Sequence, residues 1–181
     1  SAPLLTAPGA VPFTAPKFCF VIKDLIGPEW PLGPVHFDYH LPVRFALSYI
    51  GADNASHRPV MIHRAPFGSM ERFCGVLIEH FGGAFPFWLA PVQVKIVTIN
   101  EKVVPYAEKV RDQLKDRRIW VELDDRNESL GKKIREAEME KVPHILVIGE
   151  KEAEEGKVTL RKYGEREQVE MGVEEYIASA A

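Results

Sequence analysis

Cysteine is scarce in this chain, and long apolar runs are absent from it. The two cysteines, Cys19 and Cys74, are too few for a disulfide framework and lack the Cys-x-x-Cys spacing typical of a zinc pair. We therefore expect a cytoplasmic protein in a reducing environment. Because no apolar stretch reaches about 18 residues, the sequence predicts no transmembrane helix and no membrane partner. The lead-in SAPLLTAPGAVPFTAP lacks the charged first segment of a signal peptide.

An excess of positive charge is also missing. The formal net charge is −3, which provides no overall field to attract nucleic acid, so any RNA contact must depend on local clusters of Lys and Arg. The segment GKKIRE at 131–136 lacks the glycine spacing of a phosphate-binding loop, which excludes that class of nucleotide site. With 46% hydrophobic and 27% charged residues, the composition is typical of a globular protein with one large or two small cores.

The two halves of the chain differ in character. Residues 1–90 hold most of the prolines, aromatic residues and histidines, whereas residues 91–181 are richer in Lys and Glu. Pro86 and Pro91 bracket the aromatic-rich stretch that joins the halves. We therefore predict two domains, 1–90 of the α+β class and 91–181 of the α/β class.

Residues 1–90 predict an antiparallel sheet followed by one helix. Four segments alternate or carry β-branched and aromatic residues, with no helical pattern between them: 17–24, 34–42, 44–51 and 58–65. A helix is predicted to start near Ser69, whose hydroxyl can cap it. Its apolar spacing places one face in the core, formed by Phe73, Val76, Leu77 and His80 or Phe81.

Residues 91–181 alternate between strand and helix signals. Predicted strands cover 92–99, 119–123, 144–149 and 157–163, and predicted helices cover 103–116, 129–141 and 172–180. Strand–helix–strand order requires crossover connections, which favour a mostly parallel sheet. We expect helices to pack on both faces of that sheet.

Histidines and a carboxylate in the first half form one possible metal site. His36, Asp38 and His40 occupy positions i, i+2 and i+4, so a straight strand would project all three onto one face. Three ligands on one strand span too far for easy tetrahedral closure, so a polar cleft wall or plain solvent exposure remains open. His63 lies in the otherwise apolar segment VMIH, where a lone histidine is more often a hydrogen-bonded core residue than a metal ligand.

Two polar groupings could bind anions or RNA. Ser69 and Arg72 share one face of the predicted helix start, and they could either hold a phosphate or serve as a cap with a surface salt bridge. In the second half, one loop and helix start carry Arg126, Asn127, Lys132, Lys133 and Arg135. Together with outward-facing Arg161, these residues could read RNA bases and phosphates, or they could form a solvated helix face beside many glutamates.

The longest motifs resemble those of a known enzyme family. RPVMIHRAPFGSMERF at 58–73 and CGVLIEHFGGAFPFWLAPVQV at 74–94 resemble the third signature motif and the domain junction of threonyl-tRNA synthetases, which are class II aminoacyl-tRNA synthetases. Residues 124–164 resemble the anticodon-binding domain of that family, and similarity extends from residue 17 to the end. The resemblance implies that 1–90 is the C-terminal piece of an antiparallel-sheet catalytic domain. It implies that 91–181 is an anticodon-binding domain with a five-stranded mixed sheet.

By this resemblance, several residues of the first half contact substrates. His63 corresponds to one of three zinc ligands, the others being expected upstream, and the zinc binds the amino group and hydroxyl of threonine. A Lewis acid with an open position can select a hydroxyl that valine lacks. Arg72 corresponds to the catalytic arginine on the phosphates of ATP, a substrate used with magnesium. Ser69 corresponds to a position near the bound threonine, and Lys17 to a position near ATP. His36 stands where the family has a glutamine that contacts the substrate.

The same resemblance assigns four residues of the second half to contacts with anticodon bases: Asn127, Arg135, Glu152 and Arg161. The implied activity is ATP-dependent activation of threonine and its transfer to threonine tRNA, by an enzyme that is a homodimer when intact. The implied partners are therefore threonine tRNA, ATP and threonine.

Departures from the family pattern leave a second hypothesis open. The family has polar substrate-contacting residues where this chain has Thr14, Pro31, Leu32, Pro34 and His36. Nothing in the chain resembles the first two class II motifs, the other two zinc ligands or the N-terminal editing domain. The chain then represents the C-terminal part of a threonine–tRNA ligase, inactive by itself, or a non-catalytic RNA-binding module derived from one. A metal-dependent hydrolase built on His36, Asp38 and His40 is a remote third alternative.

Overall fold

The computed structural model describes residues 16–24, 26–165 and 167–180. It divides the chain into two compact units, Ser1–His80 and Phe81–Ala181. The domain boundary expected at residue 90 stays a prediction, and Thr14 lies outside the described residues. Within the described ranges, no helix is long and apolar enough to cross a membrane.

Antiparallel strands and one longer helix form the first unit. In chain order its elements are β1 (Lys17–Lys23), β2 (Glu29–Asp38), α1 (His40–Arg44), β3 (Tyr49–Ile50), β4 (Ser56–His57), β5 (Met61–Arg64) and α2 (Met70–Phe81). One sheet has the order β1-β2-β5, with antiparallel pairing throughout, and β3 and β4 form a separate hairpin. The antiparallel sheet and the helix after Ser69 confirm this part of the sequence prediction.

The strand predicted over 34–42 is wrong beyond Asp38, because helix α1 begins two residues later. Oδ1 of Asp38 accepts the backbone N–H groups of His40 and Leu41 at 2.8 and 3.0 Å, which turns the chain out of the sheet. His40 therefore does not share a strand face with the two ligand candidates before it. The strand predicted over 44–51 is reduced to the two residues of β3.

The first unit contains little buried apolar surface. None of its described large hydrophobic side chains is fully buried, and Phe20 and Ile62 are 69% and 62% exposed. The predicted burial of one face of α2 is wrong in degree, since His80 is exposed and the others are half-buried: Phe73, Val76, Leu77 and Phe81. A sheet of three strands is too small to enclose this 12-residue helix. The described part of this unit does not supply a core of its own.

The second unit is a layered domain around a five-stranded sheet. Its elements are β6 (Val94–Thr98), α3 (Val104–Asp116), β7 (Val121–Asp124), α4 (Leu130–Met139), β8 (His144–Ile148), α5 (Glu150–Glu155), β9 (Lys157–Lys162), β10 (Gln168–Gly172) and α6 (Val173–Ala180). The strand order is β10-β9-β8-β6-β7. β6 is parallel to both β7 and β8, whereas β9 and β10 are antiparallel to their neighbours. This mixed sheet confirms the fold expected for residues 91–181.

Apolar residues cover both faces of the central strands. On one face, the core includes Val94 and Ile96 of β6 and Leu146 and Ile148 of β8, packed with residues of α3 and α6; we name it the α3–α6 face. On the other, the core comprises Val97, Ile145, Val147 and Ala137 of α4; we name it the α4 face. Fully burying one such aliphatic side chain contributes roughly 1.5–3 kcal/mol. Helices on both faces are therefore confirmed.

Two elements of this unit have no strong sequence signal. Helix α5 has the sequence EKEAEE, with one apolar residue and no amphipathic pattern. Strand β10 follows a stretch rich in Gly and Glu, and its residues are mostly exposed. Both elements form because neighbouring β8 and β9 provide the hydrogen-bonding edge and the contacts that short polar segments cannot supply alone.

A half-buried histidine links the start of β8 to α6. Nδ1 of His144 lies 2.9 Å from the hydroxyl of Tyr176, and its ring packs against that of Phe87 in a tilted arrangement, with centroids 4.7 Å apart. Burial, reinforced by the positive charge of Lys162, lowers the pKa of His144 from 6.5 to about 4. Burial also raises the pKa of the Tyr176 hydroxyl. The folded domain therefore holds the imidazole neutral.

Because His144 is held neutral in the folded domain, we expect the second unit to become less stable at acidic pH. Between pH 6.5 and 4 the unfolded chain binds a proton at His144 that the folded chain does not, so stability falls as the pH falls through that window. The shift corresponds to a loss of about 3 kcal/mol in the free energy of unfolding. Denaturant unfolding at pH 7.5 and pH 4.5 measures it. The variant His144→Gln should lack this part of the pH dependence, and an identical pH dependence in both proteins would contradict the assignment.

Candidate functional site

Three polar side chains form a row across the sheet of the first unit. Lys17 of β1 pairs directly with His36 of β2, and His36 pairs directly with His63 of β5. Direct partners on adjacent strands project to the same face of a sheet. The structure therefore brings together three of the residues that the family resemblance assigns to substrates and zinc.

Asp38 lies two positions after His36 on the same face of β2, and its contact with His63 was not expected from the sequence. Its Oδ2 lies 2.8 Å from Nε2 of His63, across 25 positions of sequence. The carboxyl group is buried, and the backbone N–H of Leu41, together with His63, lowers its pKa. An ionised carboxylate only accepts hydrogen bonds, so Nε2 donates and Nδ1 of a neutral ring keeps its lone pair. Such a carboxylate–imidazole pair suits a metal ligand and equally a hydrogen-bonded structural histidine.

Ser69 and Arg72 have partners at the start of α2. Oγ of Ser69 accepts the backbone N–H of Arg72 at 3.3 Å, which confirms the capping serine, and it donates to Glu71 at 2.9 Å. Nη1 of Arg72 donates to the carbonyl of Pro31 at 3.2 Å, and its guanidinium lies 5.6 Å from the centre of the Trp30 ring. Neither partner is a carboxylate, so the surface salt bridge that the sequence left open as an alternative is not formed among the described residues. The guanidinium is held beside β2 with most of its donors available.

A groove opens on the α4 face of the second unit, over the strands that α4 does not cover. Its volume is about 520 Å³, and it is lined by Arg135, Glu138, Met139, Arg161, Tyr163, Gly164, Glu165 and Gln168. Val158 and Leu160 of β9 point to the α3–α6 face, so Arg161 points to the α4 face, as the sequence predicts. Nη2 of Arg161 lies 3.3 Å from Oε1 of Glu138. We name this feature the α4–β9 groove.

Asn127 and Glu152 are not part of the lining of the α4–β9 groove. Asn127 is exposed in the loop before α4, and Arg126 fixes that loop through a two-point contact with Asp124 at 2.8 and 2.6 Å. Both oxygens of Glu152 are engaged, accepting the N–H of Gly149 at 3.0 Å and the hydroxyl of Thr159 at 2.9 Å. These two residues follow the carboxyl ends of β7 and β8, so they lie at one edge of the sheet.

The basic cluster predicted around α4 is only partly a surface for RNA. Lys133 is 2% exposed, and its ammonium group donates to the carbonyls of Thr98 and Asp124 at 2.9 and 3.2 Å. Its predicted place in an RNA-reading patch is therefore wrong. Spacing gave a signal for this burial, because Lys133 lies four positions before buried Ala137. The lysine ties the ends of β6 and β7 to α4.

Two further members of that cluster are held in ion pairs. Arg126 also contacts Glu136 at 2.6 Å, and the hydrogen bond from Arg126 lowers the pKa of Asp124. Lys132 contacts Glu128 at 2.6 Å. For these residues the alternative of a solvated, salt-bridged helix face is the better description. Within the described chain, Arg135 has no ion-pair partner, so Arg135 and the uncharged Asn127 remain the exposed candidates for RNA contact.

Known proteins resemble both units of this chain. A family model described as "Anticodon binding domain" matches residues 93–180. Threonine–tRNA ligases of Bacteroides fragilis and Prosthecochloris aestuarii are each 55% identical to it, over 93% and 94% of this chain. The chain belongs to the threonyl-tRNA synthetase family. It spans about a quarter of the length of these synthetases, 26% of each.

Solved structures agree with membership of the synthetase family. The RNA binding domain of threonyl-tRNA synthetase from Cryptosporidium parvum has a TM-score of 0.87 and 37% identity, covering 95% of this chain and 44% of that one. Prolyl-tRNA synthetase from Giardia lamblia has a TM-score of 0.73 at 18% identity, over 92% of this chain and 37% of its own, which shows a shared fold alone.

The donor groups around His63 generate a prediction about metal content. A stable zinc site needs at least three protein donors, and the described residues contain no group of three His, Cys, Asp or Glu that could hold a metal ion. We expect the purified 181-residue chain to retain no stoichiometric zinc after dialysis, measured by elemental analysis. One tightly held zinc per chain, lost in His63→Ala and kept in the matched control His57→Ala, would contradict this expectation.

Proposed function

We propose that this chain is part of a threonine–tRNA ligase and that its second unit reads the anticodon of threonine tRNA. The observation that carries the proposal is the α4–β9 groove, which places Arg135 and Arg161 together within a domain matched by the anticodon binding family. In the whole enzyme, the reaction is ATP-dependent activation of threonine and its transfer to threonine tRNA. The identity to threonine–tRNA ligases supports this assignment.

The chemistry of the groove suits unpaired RNA bases. Sequence-specific RNA recognition mostly targets loops, where bases can be splayed out, stacked on aromatic rings and hydrogen-bonded along their edges. Arg135 and Arg161 offer planar sets of N–H donors, and the carboxylate of Glu138 holds the Arg161 guanidinium at the groove. A chain of net charge −3 has no general attraction for RNA, so recognition depends on such local contacts. Asn127 and Glu152 would contact bases at the adjoining edge.

The first unit contributes to the substrate site of the same enzyme in this proposal. His63, with its ring fixed by Asp38, would be one ligand of a zinc ion that, when bound, selects the hydroxyl of threonine. Arg72 would hold the phosphates of ATP, which is used with magnesium, and its contact with Pro31 sets where its guanidinium lies. Lys17, His36 and Ser69 would line the ATP and threonine sites.

A non-catalytic RNA-binding module is the second candidate function. The observation that favours it is the composition of β2, where Pro31, Leu32 and Pro34 replace polar groups that the family resemblance places against substrates. The unit that contains β2 also lacks a buried core within its described residues. Either way, we propose that the chain by itself binds threonine tRNA weakly and does not charge it. Homodimerisation belongs to the intact enzyme in this proposal.

Arg161 provides the test of anticodon reading. Loss of one good base contact costs about 1–3 kcal/mol, by analogy with base readout in DNA, so Arg161→Ala should weaken binding of threonine tRNA about tenfold or more. Its affinity for an unrelated tRNA should change little. Direct binding measurements on both tRNAs at one fixed salt concentration compare the two losses.

Arg117→Ala is the matched control, because Arg117 is an exposed arginine at the end of α3, away from the α4 face. It should leave both affinities nearly unchanged. Equal losses for both tRNAs in Arg161→Ala would identify a phosphate contact, with a reduced salt dependence, and would remove Arg161 from the base-reading set. If the unaltered chain bound neither tRNA, the proposed function would be wrong.

A further inference from the structure

We infer that Gln168 is a further base-reading residue, which works beside Arg161 and supplies hydrogen-bonding groups that the arginines of the groove lack. This inference rests on the proposed function and extends it to a residue of β10 that the family resemblance does not assign. The ligand is the edge of an unpaired RNA base that presents both a donor and an acceptor.

Strand pairing places Gln168 next to Arg161. The two residues are direct partners across the antiparallel β9–β10 pair, so their side chains leave the same face of the sheet side by side. Both line the α4–β9 groove. Gln168 is exposed, and its amide makes no side-chain hydrogen bond within the described chain, whereas Arg161 is paired with Glu138. The amide is therefore available to a ligand at a position already bordered by a fixed arginine.

The donors and acceptors of the groove explain what Gln168 adds. Arg135 and Arg161 only donate hydrogen bonds, and the carboxylates of Glu138 and Glu165 only accept them. The amide of Gln168 does both from one planar group, which matches a base edge that presents an acceptor beside an amino group. Discrimination between bases needs such a paired contact, because a single donor can bond to the acceptor atoms of several different bases.

The charge balance of the groove favours a base over a phosphate. Among the described lining residues, two arginines are offset by two glutamates, so these residues give the groove no net positive charge to hold a phosphodiester. Tyr163, at the end of β9, is 37% exposed and lines the same groove. An exposed aromatic ring offers a stacking surface for a splayed base. These features together point to a base-edge contact at Gln168.

The experiment uses the complete chain with Gln168→Leu, which keeps the approximate shape of the side chain and removes its hydrogen-bonding groups. Binding is measured at fixed salt to threonine tRNA with its natural anticodon and to three versions, each with one anticodon base changed. We expect about tenfold weaker binding of the natural tRNA. That loss should disappear for one of the three altered tRNAs, since the base that Gln168 contacts is then already wrong.

Two variants keep this test interpretable. Gln113→Leu is the matched control, because Gln113 is an exposed glutamine on α3, outside the groove, and it should leave all affinities unchanged. Gln168→Glu keeps the acceptors but removes the donor, and it should also weaken binding of the natural tRNA. Thermal unfolding of each variant checks that the exposed substitution leaves the fold intact.

Several outcomes would overturn the inference. Unchanged affinity in Gln168→Leu, equal losses for all four tRNAs, or the same loss in Gln113→Leu would each exclude base reading by Gln168. If Arg161→Ala still loses affinity selectively while Gln168→Leu does not, the inference fails and the proposed function stands. If the unaltered chain binds none of the tRNAs, both fail together.

Discussion

The two central strands of the second unit must be buried on both faces, and the rest of the domain depends on that constraint. All five residues of β6 are buried, and four of the five residues of β8 are buried. Alternate side chains of a strand point to opposite faces, so apolar residues at consecutive positions require cover on each side. α3 and α6 supply it on one face, and α4 supplies it on the other.

On the α4 face, helix α4 does not cover strands β9 and β10. The uncovered surface of these two strands forms part of the candidate RNA site. α4 packs over β6 and β8, whereas β9 and β10 carry Thr159, Arg161, Gln168 and Glu170 on that face. An uncovered sheet surface beside a helix forms a groove whose floor and wall are both rigid. Lys133 holds α4 against the ends of β6 and β7, and so fixes the wall from which Arg135 projects.

Sequence patterns predicted the second unit better than the first, for physical reasons. Continuous apolar segments and helical spacing are local signals, so β6, β8, α3 and α4 could be located from the sequence. The alternation of β9 also showed that the Arg161 side chain points away from the face of Val158 and Leu160. The contact between Asp38 and His63 could not, because it joins positions 25 apart and depends on strand register. The same holds for the composition of the α4–β9 groove, since β10 has no local signal and its register alone places Gln168 beside Arg161. The four-residue spacing between Lys133 and Ala137 indicated that Lys133 is buried, whereas its charge suggested that it is exposed.

Hydrogen–deuterium exchange of the chain, with and without threonine tRNA, shows which face of the second unit binds RNA. We expect tRNA to slow amide exchange in β9, β10 and the second half of α4, while α3 and α6 on the opposite face change little. Protection confined to α3 and α6, with no change in β9 and β10, would contradict the assignment of the α4–β9 groove as the RNA-binding surface.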